Sequence, residues 1–139
     1  MSTAAAPVRA TTAVRSDPAA QAYLLMRVVF VLAPIVFGLD KFAGVLTDDW
    51  TRYLAPEFND LIPGSAATAM HIVGIVEIAA GLIVLLTPRW GALLVAGWLA
   101  GIILNLLLVG GYGDIAMRDF GLLAGALALN RLATAAHDR

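Results

Sequence analysis

Hydrophobic positions along the chain gather into four blocks separated by short polar stretches. The first runs from about Ala22 to Val45 and holds Arg27, Pro34, Asp40 and Lys41. The second, 66–86, carries only His71 and Glu77 as ionisable groups, and the third, 91–109, carries no charge at all. The fourth covers about 115–136, with an uninterrupted apolar centre from Phe120 to Leu129. Roughly 20 mostly apolar residues cross about 30 Å of hydrocarbon as a helix. The second and third blocks meet that length outright, whereas the first and fourth carry charges near their ends. Backbone in lipid must satisfy its own hydrogen bonds, so the pattern predicts an all-α, integral membrane four-helix bundle.

Composition agrees with the pattern. Of 139 residues, 60% are hydrophobic and 14% charged, and mean hydropathy is +0.85. A soluble domain is about 45–50% apolar and about 25% charged. Net charge is −1, so no basic footprint for nucleic acid is present. There is no cysteine, which excludes disulfides, thiolate metal sites and cysteine redox relays within these residues.

Basic residues set the expected orientation. Arg9, Arg15, Arg27, Arg89, Arg131 and Arg139 fall on one side of a four-span arrangement, against Arg52 alone in the first loop. Both termini are therefore expected in the cytoplasm. Residues 1–21, rich in Ala, Thr and Ser, are expected to form a flexible tail, and 137–139 a short second one. A cleaved signal peptide is the alternative for the N-terminal region. The late start of the first block and the missing small-x-small pattern favour a retained span. The first loop, 47–65, is amphipathic rather than simply polar: Trp50, Tyr53, Leu54, Phe58, Leu61 and Ile62 recur among Asp48, Asp49, Arg52, Asn59 and Asp60. It reads either as an interfacial segment among headgroups or as a lid or docking surface.

Ionisable groups at membrane depth are costly and face a bundle interior or a cavity. Helical phase tests this. Arg27, Val31, Pro34, Gly38 and Lys41 fall on one face of the first block, and Met70, Gly74, Glu77 and Gly81 on one face of the second, flanked by His71. Gly97, Gly101 and Asn105 align on the third, and Arg118, Gly121 and Gly125 on the fourth. Small residues allow close approach of helix backbones. The polar side chains thus share faces with packing glycines and are expected to point inward. Counting depth from the loops brings Asp40, Lys41, His71, Glu77, Asn105, Arg118 and Asp119 into the outer half of the bundle. Such a cluster serves as structural glue, as a cavity for a polar or quinone-like headgroup, or as a proton relay through Glu77 and His71. Glu77, at mid-span, is expected to pair with Lys41 or Arg118.

Several chemistries lack their residues. A bis-histidine haem needs two axial ligands, and only His71 lies in a block; His137 is terminal. No Glu-x-x-His pair or close carboxylate–histidine set marks a zinc or di-iron site, so no metal is expected. Walker A, G-x-G-x-x-G and nucleophile-elbow motifs are absent from the sequence. Gly110-Gly111-Tyr112-Gly113 reads as a short connection.

The block ends carry a further pattern. Phe37-Gly38-Leu39-Asp40-Lys41-Phe42 resembles the G-x-x-K signature of DoxX-like membrane proteins. The stretch from Gly74 through Glu77 to Gly81-Leu82 resembles that family's G-x-x-E-x-x-x-G-L pattern, and Arg118-Asp119-Phe120-Gly121 is similar to the opening of its fourth span. The resemblance covers about 22–133. It implies a four-helix membrane fold with Gly38, Lys41, Glu77, Gly81 and Arg118 at signature positions. Relatives include a subunit of an archaeal thiosulfate:quinone oxidoreductase and proteins linked to oxidative stress and thiol metabolism. Without cysteine, thiol chemistry would reside in a partner. The resulting expectation is an accessory or non-catalytic subunit of a redox or quinone-linked assembly, without a resident cofactor, in contact with lipid and with a redox protein or a second copy. A small oligomeric transporter or channel for a polar solute or protons, and a structural anchor, are the alternatives.

Overall fold

A computed structural model describes residues 16–138 of the chain. Four long helices run through it: α1 (Pro18–Ala43), α2 (Ala66–Leu86), α3 (Pro88–Val109) and α4 (Gly113–His137). Between α1 and α2 lie a 3-10 turn, Trp50–Tyr53, and one helical turn, Pro56–Asn59. No strand occurs among the described residues.

Local chemistry sets the helix ends. The Asp17 carboxylate accepts from the Ala19 amide at 3.0 Å, and Pro18 occupies the first turn where no amide is needed. That cap starts α1 before the expected Ala22 boundary, so residues 18–21 are helix rather than tail. Residues 1–15 of the expected tail, with Arg9 and Arg15, and Arg139 at the other end lie outside the described residues. Gly44 closes α1 in the left-handed conformation (φ 66°), its amide donating to the Asp40 carbonyl at 2.7 Å, two residues short of Val45. α2 opens on Ser65, whose hydroxyl accepts from the Thr68 amide at 3.2 Å, and has the bounds the sequence predicts. Thr87 alone separates α2 from α3, because Pro88 starts the next helix at once. Gly91 makes this hairpin possible: a Cβ there would lie 2.6 Å from the Val84 Cα. Gly110 and Gly111, with φ of 81° and 80°, make the compact connection to α4.

The helices close a ring in which α1 packs chiefly on α2 and α3 chiefly on α4, with smaller α2–α3 and α1–α4 seams. The shared core holds Phe30, Val31, Val84, Val95, Leu99 and Leu129 between Ala80, Ala92, Ala96 and Ala126. These alanines let the backbones approach. Large apolar side chains cover the outside, among them Leu25, Leu32, Ile75, Leu82, Leu94 and Leu107. α1, α2 and α3 are each long and apolar enough to cross a membrane, and the chain is a helical membrane protein on that basis. α4 is as long but carries Asp114, Arg118, Asp119, Asn130 and Arg131. The ring places the start of α1 and the end of α4 with the α2–α3 turn at one end (the terminus end) and the first loop with the α3–α4 connection at the other (the loop end).

Candidate functional site

The site begins with the α1–α2 seam. A Cβ on Gly38 would lie 2.6 Å from the Gly74 carbonyl oxygen, and one on Gly74 would lie 2.8 Å from the Gly38 oxygen. Each glycine therefore seats the other helix's backbone. Gly81 repeats this contact against Ile35 and the Val31 carbonyl. One turn beyond Gly38, Lys41 reaches across, and its Nζ lies 2.7 Å from Glu77 Oε2. The two side chains are 5% and 10% exposed, so the charges neutralise each other out of water. Of the two cations expected to reach Glu77, Lys41 makes the contact.

Loop residues cover this pair. The Trp50 ring lies over the Lys41 ammonium, 3.9 Å from nitrogen to ring centroid. The same indole donates through Nε1 to Asp40 Oδ2 at 2.9 Å. Asp40 also accepts from the amides of Val45 and Leu46, both at 2.8 Å, and of Thr47 at 3.2 Å. Four donors thus hold one buried carboxylate, and it ties the loop to the end of α1. From the opposite side, Asn105 of α3 accepts from the Ala55 amide at 2.7 Å and donates to the Tyr53 carbonyl. Ala55 is fully buried, and Tyr53 packs on Tyr112 at 4.9 Å between ring centroids. Within the loop, Asp49 accepts from the Thr51 hydroxyl and, at 3.0 Å, from the Thr51 amide. Those bonds, hydroxyl first, hold the Asp49 carboxyl below its ordinary range. The first loop is therefore a folded cap over the Lys41–Glu77 pair.

The structure separates the seven polar residues expected to cluster. Lys41 and Glu77 form the centre, while Asp40 and Asn105 are anchors for the cap, each satisfied by loop groups. Asp119 is half-buried on α4, with no hydrogen-bond or ion-pair partner among the described residues. His71 stands apart, exposed and stacked on Phe42 at 4.7 Å and 10°. Arg118 also stands apart: its side chain is 76% exposed, and its nearest acid is Asp114 at 4.0 Å, one turn earlier on α4. Helix phase explains Arg118. It shares a face with Gly121, against which nothing lies within 4 Å, while Gly125 on the same face meets Met26 and Phe30. On this face α4 therefore meets α1 at Gly125, toward the terminus end, and not at Gly121.

The glycine expectations divide likewise. Gly38, Gly74, Gly81 and Gly125 are contact points, but a Cβ on Gly97, Gly101 or Gly121 meets nothing within 4 Å. Steps of four drift about 40° each on a helix of 3.6 residues per turn, so Asn105 faces inward while Gly97 faces out.

Three participants escaped the sequence reading. Trp50 was legible as an interfacial aromatic or as part of a lid, without its contacts to Lys41 and Asp40. Trp98 has a buried Nε1 close to the Glu77 carboxylate but short of hydrogen-bond geometry. A depth count could have found it, since Glu77 lies ten residues before the Thr87 turn and Trp98 eleven after. Asn130, at the terminus end, is 8% exposed and donates to the Arg89 carbonyl at 2.8 Å. Its signal is an amide closing the apolar centre of α4. Among the described residues, no three His, Cys, Asp or Glu side chains gather as a metal-ligand set. Comparison of the chain with family models, curated proteins and solved structures gives no match.

Proposed function

We propose that the chain is a DoxX-like protein of the bacterial inner membrane that crosses it four times, both termini cytoplasmic. In this reading it serves as an accessory, non-catalytic subunit of a redox or quinone-linked assembly. The observation that carries the proposal is the Lys41–Glu77 pair, sealed at membrane depth beneath Trp50. Such a pair offers one strong donor and one strong acceptor to the carbonyl or hydroxyl headgroup of a lipophilic ligand once the cap lifts. Thiol or metal chemistry then belongs to a partner. Orientation draws support from Arg27, Arg89 and Arg131 at the terminus end, against Arg52 among Asp48, Asp49, Glu57 and Asp60 at the loop end. The fourth span is supported by the length of α4, which reaches about 37 Å at 1.5 Å per residue, and by its packing along α3.

Two experiments test this. Protein purified in mild detergent is extracted with organic solvent and assayed for quinone, flavin and haem, while co-purifying proteins are identified. A bound lipophilic ligand or redox partner, reduced in Lys41→Met, is the expected result; a colourless, solitary, ligand-free protein contradicts the proposal. Because the chain has no cysteine, single cysteines report topology cleanly. Asp60→Cys is expected to react with an impermeant maleimide on intact cells, and Ala135→Cys only after lysis; the reverse pattern removes the orientation.

A second reading, movement of protons or a polar solute, is favoured by half-buried Asp119 of α4, which has no ion-pair partner among the described residues. Equal flux of wild type and Glu77→Gln in proteoliposomes would exclude Glu77 from any such pathway.

A further inference from the structure

The end of the bundle away from the ion pair has chemistry of its own. A cavity of about 410 Å³ opens there among Tyr23 of α1, the α2–α3 turn and the last turns of α4. Its polar lining holds Arg89, His137, the Tyr23 hydroxyl and Thr87, whose hydroxyl donates back to the Ile83 carbonyl at 3.0 Å, and no carboxylate borders it. The Arg89 guanidinium has no ion-pair partner among the described residues and lies over the Trp90 ring, 5.1 Å from its centroid. The first turn of α3 opens onto the same space. Thr87 gives that helix no side-chain cap, Pro88 has no amide hydrogen, and the Arg89 and Trp90 amides have no intrahelical acceptor. The rim is apolar: Leu86 is 78% exposed and Trp90 62% exposed, so the cavity runs into the surface that faces the bilayer. Asn130, by holding the Arg89 carbonyl, fixes the turn that carries these groups.

We propose that this cavity binds the headgroup of an anionic membrane phospholipid. Arg89, with the adjacent α3 amides, receives the phosphodiester, and His137 donates from the facing helix. Tyr23 and Trp90 flank the glycerol region, and the acyl chains leave past Leu86 along the outside of the bundle. The volume suits a headgroup rather than whole chains, since pockets for small ligands span about 300–1,000 Å³. A soluble anion would use the same cations but would leave the Leu86 and Trp90 rim in water. Basic pockets between transmembrane helices are suited to anionic headgroups. The inference stands on the membrane reading of the helices and is independent of the ligand proposed for Lys41–Glu77.

Full-length protein, delipidated in detergent, is given equal amounts of dioleoyl phosphatidylglycerol and dioleoyl phosphatidylcholine, and retained lipid is counted by native mass spectrometry. Wild type is expected to prefer phosphatidylglycerol by about fivefold, the worth of one basic side chain at an anionic headgroup. Arg89→Gln is expected to abolish the preference, and Arg131→Gln, exposed and outside the cavity, to keep it. Ala136→Trp, which fills the cavity from an exposed position, is expected to lose the preference without touching any cation, and serves if Arg89→Gln does not accumulate. Equal retention of both lipids by wild type overturns the proposal, as does an undiminished preference in Arg89→Gln or Ala136→Trp. Displacement of phosphatidylglycerol by equimolar inorganic phosphate also overturns it, assigning the site to a soluble anion.

Discussion

The α1–α2 and α3–α4 pairs look alike in sequence and differ in what their glycines meet. Along α1–α2, Gly38, Gly74 and Gly81 face the partner helix, each with a backbone oxygen within 3 Å of where a Cβ would stand. That closeness brings Lys41 and Glu77 together out of water. Along α3–α4, Gly97, Gly101 and Gly121 face away from the bundle, and Arg118 and Asp114 lie exposed beside them. A spacing of small residues therefore marks a flat helix face without saying what that face contacts. In the first pair, Lys41 and Glu77 fall on the face that packs; in the second, Asp114 and Arg118 lie exposed and only Asp119 is half-buried.

Substitutions can break or sharpen this contrast, and their expected effects descend in order. Glu77→Ala leaves the Lys41 ammonium buried and unpaired and is expected to cost about 3–5 kcal/mol in reversible unfolding, for example by SDS titration in mixed micelles. Glu77→Gln should cost less, because its amide oxygen still accepts from Lys41. Gly38→Val drives a branched side chain into the Gly74 carbonyl and Ile78, and is expected to cost about 3 kcal/mol in the same titration. Asn130→Ala removes the side-chain bond to the Arg89 carbonyl that ties α4 to the hairpin turn, for about 1 kcal/mol. Gly97→Ala meets open space and gains helix propensity, so its unfolding free energy should hold or rise by up to about 1 kcal/mol. A large loss at Gly97 with none at Gly38 would invert the comparison.

Much of the fold was legible because each helix carries its own signals. α2 has a Ser65 cap and an unbroken apolar run, and its bounds match the sequence reading. α1 began early because the weight given to apolar residues concealed the Asp17-Pro18 start signal. Lys41 and Glu77 could be linked from phase and depth alone, since both lie on glycine faces. Asp40 and Asn105 could not be given their roles, because their partners are backbone amides and carbonyls of an irregular loop with no periodicity to read. Arg118 went astray for a different reason. Depth placed it near Glu77, but the direction of its face depends on how α4 leans away from α1, which no local pattern encodes.

The dependence of the α1–α2 seam on one charge pair is tested most directly by a double-mutant cycle on Lys41→Met and Glu77→Met, read as unfolding free energy in mixed micelles. Each single change should cost about 3–5 kcal/mol by stranding the other charge, while the double variant, apolar on both sides, should recover most of that loss. Additive costs, with the double variant as unstable as the two singles summed, would contradict a direct pair.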